Sequence, residues 1–188
     1  MIALTAALGI TVAPTLSVVP DDYSIAAVTF DIARDSVLGP LRAGLLCLPA
    51  GRTRWKDVVL PDNATAITIL TRSLTDEQLT VRVSGDPIFA DPPPPTRYRI
   101  RVTVAAATLQ LCKPGSPIGP QLYKGLGTLT VVWETFDRQA RSNVVRNVFT
   151  VPLVIGKGSA TRDTEAVLGA LEKAAVLYAR TRRRALTD

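Results

Sequence analysis

The clearest pattern along the chain is the two-residue alternation in "RYRIRVTV". Tyr98, Ile100, Val102 and Val104 face one way, and Arg97, Arg99, Arg101 and Thr103 the other. This predicts a strand with one core face and one wet face, because an unpaired guanidinium is too costly to bury. The same period returns twice farther on. Leu129, Val131 and Trp133 alternate with Thr130, Val132 and Glu134, and then Val145, Asn147, Phe149, Val151 and Leu153 alternate with Val144, Arg146, Val148 and Thr150. The polar stretch between them, Asp137 to Asn143, reads as an exposed turn, so the two segments form a hairpin. Apolar residues on both faces place that hairpin inside a sheet. Tyr23 to Asp35 is an earlier strand, with Ile25, Ala27 and Phe30 serving the core, and Leu79 to Ser84 is another.

Two segments switch to helical spacing. Ile67, Leu70 and Leu74 follow a start at Pro61 or Asp62. Near the end, Val167, Leu168, Leu171, Ala174, Ala175 and Tyr178 form one apolar stripe. Thr161 can cap this second helix, Asp163 and Glu165 sit in its first turn, and Arg180 to Arg184 crowd its last, as the helix dipole favours. Elsewhere Gly and Pro punctuate the chain. Pro40, Pro49 and neighbouring glycines break the region before Trp55 into short pieces, with Ala43 to Leu48 a strand or a tight turn and Trp55 an anchor. The run Pro92 to Pro95 reads as a stiff connection, and "KPGSPIGPQLYKGLG" as a long loop.

This order predicts an α+β fold: a mostly antiparallel sheet of about four to six strands, with a long C-terminal helix and a shorter earlier helix packed on it. Residues 21–180 make a single domain, with a basic C-terminal tail at 181–188. Residues 1–20 are an export-signal remnant or a first strand. An apolar run from Ile2 to Val12 ends in small residues, as an export signal does, but no Lys or Arg precedes it.

Composition narrows the chemistry. The chain has no histidine, which removes Ser-His and Cys-His nucleophile pairs, imidazole metal ligands and imidazole acid–base catalysis together. Its carboxylates are scattered. Glu134 amid arginines reads as a cross-strand ion-pair partner, and no set is spaced for general acid and base. "GKGS" at Gly156 to Ser159 fails as a phosphate loop, because Val151 stands where a glycine is needed and Gly158 separates Lys157 from Ser159. No catalytic residue, cofactor or metal site is therefore expected. Charge is lopsided, with seven Lys and Arg against ten Asp and Glu in residues 1–95, but fifteen against six in residues 96–188. The arginines at 97, 99 and 101, with Arg138, Arg141 and Arg146 on the hairpin, make a candidate interaction patch for a protein partner or an anionic ligand. Nucleic acid would want interleaved aromatics, and Tyr98 points to the other face. Cys47 and Cys112, each ending an apolar run before a turn, are either a disulfide of an oxidising compartment or two buried thiols.

A resemblance rests on the whole order: an early "SIAAVTF" strand, a helix and a strand, then "TRYRIRVTVAAATLQL". A hairpin "LTVVWETFDRQARSNVV" and the alanine-rich helix "DTEAVLGALEKAAVLYA" complete it. This order resembles small bacterial envelope domains, namely the curli-secretion lipoproteins, the penicillin-binding-protein activator lipoproteins and the amino-terminal domain of the Tol translocation protein. An auxiliary lipoprotein of lipid transporters looks similar in the same region. The resemblance implies a periplasmic, non-catalytic accessory domain acting by protein contact. The alternative is a basic nucleic-acid-binding domain in the cytoplasm.

Overall fold

A single long strand organises the molecule. The computed structural model describes residues 22–82, 96–113, 123–158 and 161–187. In chain order these form β1 (Asp22–Phe30), β2 (Val37–Ala43), β3 (Leu48–Arg54), a 3-10 turn (Trp55–Asp57), α1 (Asn63–Asp76), β4 (Thr80–Arg82), β5 (Tyr98–Lys113), β6 (Tyr123–Asp137), β7 (Ser142–Gly158) and α2 (Thr161–Thr187). On one side, β5 pairs along its length with β6, which pairs with β7, both antiparallel. Its other side is shared. β1 runs parallel to the first half of β5, from Tyr23 beside Tyr98 to Phe30 beside Val104. β2 runs parallel to the last residues, Leu41 beside Leu111 to Ala43 beside Lys113. β4 lies parallel outside β1, and β3 antiparallel outside β2.

The expected α+β class holds, with two helices and a long C-terminal one. The sheet is larger than expected and mixed, with seven strands among the described residues. Alternation reports which face is buried; direction is set by the connections, and α1 carries the chain back so that β4 runs parallel to β1. The two added strands, β2 and β3, are mostly exposed and so lack an apolar period. The segment read as a loop before Leu129 is strand from Tyr123 onward. Gly127 is in that strand because a Cβ there would sit 1.8 Å from the Thr108 carbonyl oxygen, and Gly39 of β2 meets the Leu109 carbonyl in the same way. Residues 1–20 and Pro92 to Pro95 lie outside the described residues.

A bulge keeps the long strand in phase with the core. Val104 pairs with Val131 and Ala106 with Thr130, leaving Ala105 as the extra residue. Inward positions therefore change from Tyr98, Ile100, Val102 and Val104 to Ala107, Leu109 and Leu111. Both helices pack on this inward face. Asp62 caps α1 by accepting from the Thr65 N–H at 2.8 Å, and Ala66, Leu70 and Leu74 turn inward. α2 lays Val167, Leu171, Ala174, Ala175 and Tyr178 against β6 and β7, where its small side chains let the helix approach closely. Tyr178 stacks on Trp133 at 4.5 Å and shares a 2.7 Å hydrogen bond with the Thr135 hydroxyl. The residues read as a basic tail continue α2 to Thr187. Arg180 and Arg183 clasp Glu77 at the end of α1, and Arg182 is buried over the rings of Tyr23 and Tyr98.

Candidate functional site

The opposite face of the sheet carries no helix among the described residues. Its centre is a threonine lattice, with hydroxyl contacts between Thr29 and Thr103, Thr108 and Thr128, and Thr130 and Thr150. These β-branched residues suit a pleated surface that faces water. Val132 is shielded by its neighbours, whereas Val148 and Val154 are half-exposed. A recess lies at each end of the lattice.

The first recess, about 420 Å³, is lined by Ala26, Ala27, Arg99, Arg101, Glu134 and Phe136. Here the register sets Arg101 beside Glu134 and Glu134 beside Arg146, so one carboxylate stands between two guanidiniums across three strands. Arg101 approaches Glu134 at 3.9 Å, a loose and solvated pair of the kind that adds little stability. The small Ala26 and Ala27 leave room for Arg99, which is exposed and makes no ion pair among the described residues. The recess sets two guanidiniums and one carboxylate beside an aromatic ring, Phe136.

The six arginines read as a patch gather at this end but in three different settings. Arg99, Arg101 and Arg146 lie on the bare face. Arg97 instead pairs with Asp137 at 3.4 Å, its guanidinium 4.8 Å above the Tyr98 ring, so Tyr98 serves this arginine while facing away from the next two. Burial acts to raise the Asp137 carboxyl. Donation from the backbone N–H groups of Ala140 and Gln139, together with Arg97, outweighs it and holds the group below its ordinary range. Arg138 and Arg141 are exposed on the β6–β7 turn.

The second recess, about 490 Å³ and more apolar, lies some eleven residues along β5. Arg42, Cys47, Gln110, Lys124, Leu126 and Ile155 are among its lining. The two cysteines meet here as a disulfide with Cα atoms 5.5 Å apart, fixing the β2–β3 turn to the end of β5. The turn presents Leu45 and Leu46, and Leu48 opens β3 beside them, with Leu45 89% exposed. The alternation pattern does not single out these leucines or Phe136. The available signal was two consecutive leucines inside "AGLLCLPAG", between glycines where a core strand cannot run.

On the inward side of the same end, Asp163 of α2 is buried. Burial raises its carboxyl above the ordinary value, against the opposing effects of Tyr123, the Val59 N–H and Lys113. Burial and this carboxylate push the Tyr123 phenol up to about 12. Among the described residues no group of His, Cys, Asp and Glu could hold a metal ion. No helix among them is long and apolar enough to cross a membrane.

No protein-family model matches the sequence, and no curated protein matches it. Among solved structures, protein XCC0632 from Xanthomonas campestris, of the DUF330 family, is similar with a TM-score of 0.50 at 13% identity, over 92% of this chain and 89% of that one. The hypothetical protein CT253 from Chlamydia trachomatis has a TM-score of 0.45 at 10% identity, over 85% of this chain and 95% of that one. PelC from Paraburkholderia phytofirmans has a TM-score of 0.37 at 14% identity, covering 84% and 89% respectively. All three are bacterial proteins. The first likeness shows a shared fold.

Proposed function

We propose that this chain is an exported accessory domain of the bacterial cell envelope, working by protein–protein contact through the bare face of its sheet. The observation that carries the reading is that face. Among the described residues, seven strands are packed by helices on one side only, while the other side sets Arg99, Arg101 and Arg146 beside Phe136 and Val148. A partner that offers acidic side chains and an apolar edge complements it, with the arginines giving register and encounter rate more than affinity. The Cys47–Cys112 bridge supports export, since such bonds persist in oxidising compartments. The cytoplasmic nucleic-acid reading draws on the same arginines, but Phe136 is the lone aromatic of that face among the described residues, and single-strand binding needs successive stacking platforms.

The test joins both halves of the proposal. Thiols trapped by alkylation in intact cells of the native host are expected to be protected until a reductant is added. Reversing the recess with Arg99→Glu and Arg101→Glu is expected to reproduce the phenotype of losing the protein, without lowering the melting temperature of the purified variant. Two freely alkylated cysteines, or a fully functional double reversal, would dismiss the reading.

A further inference from the structure

The β2–β3 turn combines features that no packed element explains. Leu45, Leu46 and Leu48 are 89%, 79% and 61% exposed at the tip of the β2–β3 hairpin. They cost solvation there, and a set of neighbouring exposed leucines marks a surface that meets something apolar. The tip is also held in place. Gly44 donates its N–H to the Lys113 carbonyl at 3.0 Å, Cys47 adopts a left-handed conformation with φ 49°, and its sulfur is bonded to Cys112. The leucines are thus presented on a fixed support.

The charges around them are of one sign. Residues 36–56, 102–113 and 123–133 contain Lys and Arg but no Asp or Glu. Asp35 pairs with Arg54 and Lys56, and Lys113 faces the buried Asp163. Arg42, Arg52 and Lys124 are left without an ion pair among the described residues. Arg42 and Lys124 line the apolar recess directly behind the turn. The order outward is therefore cations first, then leucines at the extremity. An acidic lipid surface has the complementary order, with phosphates outside and acyl chains beneath. A protein groove could take the leucines, but nothing in it would require a surrounding girdle of unpaired cations.

We propose that this end of the molecule docks on an acidic lipid bilayer surface. Leu45, Leu46 and Leu48 enter the acyl boundary while Arg42 and Lys124 meet the phosphates, and the recess behind them accepts part of a lipid chain. The arginine recess, roughly 35 Å away along β5, stays clear of the surface and open to a protein.

The direct test is flotation of the full chain with vesicles of equimolar phosphatidylglycerol and phosphatidylcholine, against vesicles of phosphatidylcholine alone. Binding is expected to the acidic vesicles only and to weaken with salt. It is expected to fall at least about tenfold in Leu45→Ser/Leu46→Ser, which replaces exposed turn residues and leaves the fold and the disulfide intact. Arg42→Ala and Lys124→Ala, made separately, are each expected to weaken it about fivefold. Absence of binding by the native chain, or undiminished binding by the leucine variant, would overturn the proposal. So would a dimer in solution that the leucine variant dissolves while vesicles are ignored, since the occupant would then be a second copy. None of these outcomes bears on the arginine recess.

Discussion

At the scale of single residues, Asp163 is where burial and charge conflict most openly. Its carboxyl is buried and one oxygen has no hydrogen-bond partner among the described residues. Burial raises its folded-state value above the ordinary 3.8, so the native chain holds this proton to higher pH than the unfolded chain. The group's contribution is therefore fully present below about pH 4 and is lost as pH rises through the raised value. Asp163→Asn keeps an acceptor for the Tyr123 hydroxyl and removes the charge. Denaturant melts across mildly acidic to neutral pH are expected to show stability declining with pH in the native chain, and a flatter profile with equal or higher stability near neutrality in the variant. A variant less stable than the native chain at neutral pH would show that the carboxylate is compensated.

At the scale of elements, what the sequence made legible follows from periodicity. The β6–β7 hairpin and α2 have one buried face each, and the residues expected inward, such as Trp133, Val151, Leu171 and Tyr178, are inward. The β2–β3 hairpin lacked such a signal. Of β3's seven residues only Thr53 is buried, and Pro49, which argues against a strand, is tolerated because β3 is an edge strand. The glycines at 125 and 127 read as a turn because sequence cannot distinguish a glycine needed for bending from one needed for close approach. The arginine patch was legible as a column, but its division was not. Arg97's ties to Asp137 and Tyr98 depend on the β5–β6 register.

The same hairpin shows what the disulfide does. Closing a loop of 65 residues between Cys47 and Cys112 removes unfolded-state freedom, and losing it costs about 2–4 kcal/mol. Reduction, or Cys47→Ala/Cys112→Ala, is expected to lower stability by that amount. Amide exchange is expected to accelerate across residues 37–54 while β5 and β6 keep their protection, because β2 meets β5 through only three paired residues. Uniform acceleration across the sheet would show instead that the bridge supports the whole core.

At the scale of the molecule, the fold separates a dry face that holds it together from a wet face that is free to work. The dry face uses the apolar positions of β5, β6 and β7 and both helices, and the interlocked rings of Trp133 and Tyr178 join sheet to helix. The wet face has an arginine end and a leucine end, joined by threonines whose hydroxyls satisfy one another. Under the two proposals above, one end engages a partner while the other engages a surface.

If the bare sheet face makes the working contact, as proposed, site-specific photo-crosslinking in living cells of the native host will capture a partner there. A photoreactive side chain placed at Val148, exposed on the bare face, is expected to give a discrete covalent adduct. The same group at Glu172, exposed on α2, is expected to give none. Adducts from Glu172 with none from Val148 would contradict the account.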